Sequence, residues 1–131
     1  MNPIDVQWGN PDRTLVVYTA HGAWEWNDLY DATREAHALL ATVNHVVDSI
    51  VDVTNAQAFP GGSLWHARRM ASARHPNSGR LVYVGGHSFI KAVFDVISRM
   101  YRADHPSFLY ANTLDEAHAL LRRETAEPVT E

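Results

Sequence analysis

Two short runs rich in β-branched and aromatic residues open the chain, Ile4 to Trp8 and Thr14 to Thr19, with Gly9-Asn10-Pro11-Asp12 between them. That turn chemistry predicts a β-hairpin. The period then changes: Leu29, Ala32, Ala36, Leu39, Leu40 and Val43 recur at helical spacing, which predicts a helix capped by Asn27 and running to about Thr42. Val46 to Thr54 has few polar breaks and reads as a strand covered on both faces. A second helix is expected from Ser63 to near His75-Pro76, and a strand from Arg80 to Val84, closed by Gly85-Gly86. Ser88 caps a third helix whose stripe contains Ile90, Val93, Phe94, Ile97, Met100 and Tyr101, widened by Phe89 and Val96. A short strand, Ser107 to Ala111, and a helix, Leu114 to Arg123, complete the pattern.

The order is β-β-α-β-α-β-α-β-α. Strands alternating with helices predict an α/β domain with a single mixed, mostly parallel sheet of about five strands and four helices, the hairpin supplying the antiparallel strand. One domain is expected over residues 1–123, with a loose tail over 124–131. In such sheets binding sites lie beyond the carboxyl ends of the strands. Here that rim comprises Thr54 to Ser63, Gly85 to Ser88 and Ala111 to Thr113.

Composition narrows the chemistry. The 131 residues include no cysteine, which excludes a disulfide scaffold, a thiolate zinc site and a cysteine nucleophile. With 46% hydrophobic and 20% charged residues the chain has the composition of a folded globular protein. No secretory pattern opens it and no apolar run approaches the roughly 20 residues of a membrane helix, so a cytoplasmic location is expected. Charge is unevenly spread. Residues 1–60 carry two basic and eight acidic side chains, residues 61–105 seven and two, and residues 106–131 two and five. The basic island suits an acidic partner or anionic ligand. Four of the eight histidines fall within it, so anion binding at the rim should strengthen below about pH 6.5.

The histidines have no i, i+4 pair and no zinc-finger spacing, so no metal and no cofactor is expected. Asp115-Glu116-Ala117-His118 spells a helicase box, but no phosphate loop accompanies it, and Thr113 or Asp115 is better explained as a helix start. The string EAHALL occurs twice, at 35–40 and at 116–121, in keeping with helix-forming composition. Pro60-Gly61-Gly62-Ser63 and Gly85-Gly86-His87-Ser88 each open a helix with free N–H groups suited to an anion, Arg68 or Arg69 being near the first. Asp52, Ser63 and a histidine can be written as a triad, yet no nucleophile elbow surrounds the serine, and no catalytic residues are assigned. Trp24 and Trp26 flank Glu25 ahead of the first helix, and Trp65 sits early in the second. One ring of the alternating pair is expected on the core and the other partly exposed.

Three segments together resemble the STAS family, in its bacterial anti-sigma-factor-antagonist-like branch. They are Gly22-Ala23-Trp24-Glu25-Trp26-Asn27-Asp28-Leu29, the strand Ile50-Val51-Asp52-Val53-Thr54, and the strand-helix-strand-helix finish from Arg80 through Leu121. The resemblance implies a helix-packed sheet and a non-enzymatic signalling role through a protein partner. It also implies a phosphoacceptor after the Asp-bearing strand, where Ser63 stands, although Pro-Gly-Gly-Ser replaces the usual Asp-Ser-Ser-Gly. The binding residues expected are Asp52, Thr54, Gly61, Gly62, Ser63, Trp65, His66, Arg68, Arg69, Gly86, His87 and Ser88. The alternative is a carrier of a small hydrophobic or lipid-like ligand, its pocket walled by Trp24, Trp26 and Trp65 with Phe89 and Phe94. No nucleic-acid partner and no membrane span are expected, and the broad third helix suits a homodimer face.

Overall fold

Strand pairing decides where the elements end. The computed structural model describes residues 2–56, 75–85 and 108–126. Strand β1 (Ile4–Trp8) pairs antiparallel with β2 (Leu15–Gly22), Ile4 opposite Ala20 and Trp8 opposite Val16. Asn10 pins the loop between them. Its side-chain Oδ1 accepts the Thr14 N–H at 3.0 Å and its side-chain amide donates to Thr14 Oγ1 at 2.8 Å.

β2 runs three residues past the expected end at Thr19. Ala20-His21-Gly22 has weak strand propensity, but β3 (Val47–Ala56) pairs with it in parallel as far as His21 with Asn55 and Gly22 with Ala56, across an irregularity after Thr19. Gly22 then turns the chain with φ of 61°, a conformation glycine adopts without strain. β3 itself spans Val47–Ala56 rather than Val46–Thr54, because pairing with β2 carries it two residues further. β4 (Ser78–Val84) starts two residues before Arg80 because Ser78 pairs with Val47, and β5 is Phe108–Ala111.

The sheet order is β1-β2-β3-β4-β5, with β2 to β5 parallel. This is the mixed five-stranded α/β sheet that the alternating pattern predicts. Helix α1 (Trp26–Leu40) connects β2 to β3, and α2 (Leu114–Ala126) follows β5. The two helices expected over 63–75 and 88–101 lie outside the described residues.

The start of α1 corrects one expectation. Glu25, not Asn27, is the N-cap: its N–H donates to the Asp28 carboxylate at 2.8 Å, a reciprocal contact that Asn27, inside the first turn, cannot replace. At α2, Thr113 Oγ1 accepts the Glu116 N–H at 3.1 Å, while the Glu116 carboxylate accepts the Asn112 N–H at 2.9 Å. α2 runs three residues past Arg123, so the expected tail from Glu124 begins as helix.

The two EAHALL strings occupy α1 and α2, and each buries its second and sixth residues. Ala36 and Leu40 join Val16, Tyr18, Val47, Val53 and Trp24 on one face of the sheet. Ala117 and Leu121 join Leu15, Ile50, Val82, Val84 and Ala111 on the other. Ile50, Val82 and Val84 have no exposed surface, and burying each such side chain contributes about 1.5–3 kcal/mol. β3 contributes buried residues to both clusters, as its apolar positions on both faces predict, and β4 contributes Val82 and Val84 to the second.

Candidate functional site

The parallel strands β2, β3 and β4 all end toward one edge of the sheet, and the chain leaves each of them there. Trp24, Glu25 and Trp26 follow β2, Thr54 and Asn55 close β3, and Gly85 follows β4. Of the residues expected at the site, Asp52, Thr54, Trp24 and Trp26 lie among those described. Gly61, Gly62, Ser63, Trp65, His66, Arg68, Arg69, Gly86, His87, Ser88, Phe89 and Phe94 lie outside them.

The fold separates the four. Trp24, only 5% exposed, belongs to the α1 core and meets the half-buried Trp26 edge to face, ring centroids 5.0 Å apart. Asp52 aligns with Thr19 on β2 and Val84 on β4, and the two-residue period puts it with Ile50 on the α2 side. Its carboxylate accepts the Thr54 N–H at 3.0 Å within the last residues of β3, where Thr54 and Asn55 are exposed. The described part of this edge thus carries exposed polar residues at the end of β3 and, separately, a packed aromatic pair at the start of α1.

Neighbouring titratable groups are kept neutral. Burial pushes the Tyr18 phenol up to about 12, with the Tyr83 phenol adding to the shift and the Thr33 hydroxyl opposing it. Tyr83 is likewise pushed up to about 12 by burial. Neither phenol supplies a phenolate at neutral pH. Tyr110 donates its hydroxyl hydrogen to the Gly85 carbonyl, tying β5 to the residue that leaves β4. Among the described residues no group of three His, Asp or Glu side chains could hold a metal ion, and no helix is long and apolar enough to cross a membrane.

Sequence reasoning missed the polar groups at the opposite edge, where the parallel strands begin. Asp48 and Arg80 form an ion pair at 2.8 Å, their side chains 17% and 22% exposed, and Asp48 also accepts the Arg80 main-chain N–H at 2.7 Å. An acidic residue near the start of a strand rich in buried apolar residues was the available signal. Gly79 permits the contact: a Cβ there would lie 2.5 Å from Asp48 Oδ1 and 2.6 Å from Val46 Cγ1. Gly79→Ala is therefore expected to destabilise the fold by about 1–3 kcal/mol. Urea unfolding measures this directly, and an unchanged midpoint would remove the steric argument.

Asn77 was missed too. Its amide donates to the Leu40 and Val43 carbonyls at 3.0 and 3.1 Å, closing the end of α1, while its own N–H donates to His75 Nδ1 at 3.0 Å. The His75 ring lies 5.4 Å from that of His37. Burial lowers the His37 pKa below its ordinary value, and the neighbouring His75 lowers it further. The folded protein then binds a proton at His37 less readily than the unfolded chain, so this contribution to stability declines as pH falls through about 6.5. Between about pH 7.5 and about pH 5.5, His37→Gln should show a smaller fall in melting temperature than the parent. Equal falls would assign the acid sensitivity elsewhere.

No protein-family model matches the sequence, and no curated protein matches it. A solved structure does. It is an uncharacterized protein of the DUF3478 family from Shewanella loihica PV-4, described as having a SpoIIAA-like fold. The two superpose with a TM-score of 0.62 at 14% identity, over 90% of this chain and 91% of that one. At that identity the likeness establishes the fold: this chain has the SpoIIAA-like, STAS-like architecture that its segments resemble.

Proposed function

We propose that this chain is a non-enzymatic regulatory module that binds a protein partner or a small anionic ligand at the rim formed by residues 54–66 and 85–91. The observation that carries the reading is the pair of exposed polar residues, Thr54 and Asn55, at the carboxyl end of β3, with the Thr54 N–H bonded to the Asp52 carboxylate. The Gly61-Gly62-Ser63 connection and the basic island with Arg68 and Arg69 follow directly in sequence. A STAS-like sheet is compatible with such a role. Ser63 is the proposed phosphoacceptor, and the third-helix segment 88–101 the proposed homodimer face.

Trp24 favours this reading over a hydrophobic-ligand carrier, since its ring is consumed by the core beneath α1. Titrating inorganic phosphate while following amide resonances tests the electrostatic part. Thr54, Asn55 and Gly85 should shift and saturate, and the double variant Arg68→Ala, Arg69→Ala should lose that response. An unaltered response in the variant would refute the basic-island contribution. Retained non-protein mass in native mass spectrometry would instead favour the carrier.

A further inference from the structure

The face of the sheet beneath α2 holds a cleft of about 550 Å³ at the amino ends of the parallel strands, away from the rim. The β1–β2 hairpin forms one wall, with Asn10 and Thr14, and α2 forms the other, with His118 and Arg122. Leu15 and Leu121, 6% and 7% exposed, supply apolar lining, and the Asp48–Arg80 pair lies between the walls. The volume is within the range of small-molecule sites.

Its polar groups favour an anion. Asp48 is engaged by Arg80, so the cleft's only carboxylate among the described residues is already neutralised. Arg122 makes no ion pair with the described residues and is exposed, and His118 stands one helical turn before it on the same side of α2. The local charge is therefore positive in a chain whose net charge is -4. Thr14 Oγ1 accepts the Asn10 amide hydrogen, which leaves its own hydroxyl hydrogen to donate to another acceptor. Gly9 brings the hairpin directly onto the cleft floor: a Cβ there would lie 2.9 Å from Leu15 Cδ2 and 2.8 Å from Val17 Cγ2.

We propose that this cleft binds a small carboxylic acid, its carboxylate held by Arg122 and His118 and its short apolar body resting on Leu15 and Leu121. Arg122 offers the planar fork that matches a carboxylate, and the leucines reward an apolar body that acetate lacks. The site is independent of the proposed rim, and one measurement separates them.

Hexanoate, acetate and hexanol are titrated in turn into the full chain while amide resonances are followed. Hexanoate should produce saturating shifts at Gly9, Asn10, Thr14, His118 and Arg122, with acetate and hexanol each binding more weakly. Arg122→Gln, at an exposed position, should weaken hexanoate about five- to tenfold. His118→Gln should weaken it as well, and its readout does not depend on Arg122. Absence of saturating shifts at these amides would overturn the proposal, as would equal affinity in Arg122→Gln or hexanol binding as tightly as hexanoate. Saturating shifts confined to Thr54, Asn55 and Gly85 would overturn it while supporting the rim.

Discussion

Replacing Trp24 with alanine is expected to destabilise the protein by about 3–5 kcal/mol, a large share of the roughly 5–15 kcal/mol that holds a domain folded. The indole is 5% exposed and shares its core with Ile4, Val16, Tyr18, Ala32 and Ala36, so truncation removes contacts from both the sheet and α1. It also removes the edge-to-face contact with Trp26, worth about 0.5–1.5 kcal/mol. Trp26→Ala should be milder, because that ring is half-buried. Urea denaturation followed by far-UV circular dichroism distinguishes the two. A loss below about 1 kcal/mol for Trp24→Ala would mean that the ring is dispensable to the core and would reopen its use as a ligand wall.

The alternation of apolar runs was enough to predict the hairpin, the parallel strands and both described helices, since burial leaves β3 and β4 with β-branched and aromatic residues between few polar breaks. Element ends were less legible for a definite reason. Ala20, His21 and Gly22 have little strand preference of their own, and only pairing with Asn55 and Ala56 extends β2 over them. Asn27 has the chemistry of a cap, but the Glu25–Asp28 contact three residues apart decided the start of α1. The candidate rim was visible as turns and charge. Its division between two faces was not, because the side on which Asp52 and Trp24 fall depends on register. Asn77 gave no sign at all: its partners, Leu40 and Val43, are brought to it only when α1 has packed.

Asp48→Ala is expected to destabilise the protein by about 2–3 kcal/mol, the second large effect. The carboxylate accepts the Arg80 main-chain N–H at 2.7 Å and the guanidinium at 2.8 Å, and charge-assisted bonds of this kind are each worth about 1.5–3 kcal/mol. Breaking a fully buried pair costs about 3–5 kcal/mol, but these side chains retain 17% and 22% exposure, and solvent reduces the loss. Asp48→Asn should fall between alanine and the parent, because its amide oxygen can still accept the main-chain N–H while the charge is gone. Equilibrium unfolding of the three proteins gives the order. If Asn and Ala were equally damaging, the charge on Asp48 would carry the whole effect and the main-chain bond none. If both were neutral, the pair would be a surface contact, and the cleft's positive balance would no longer depend on Asp48 being engaged. Arg80→Met supplies the converse test, since a similar-sized apolar side chain keeps bulk in the cleft that Leu15 and Leu121 also line while removing the guanidinium. Its loss should be smaller than that of Asp48→Ala, because the carboxylate keeps the main-chain N–H as a donor whereas alanine at position 48 leaves that N–H without this acceptor.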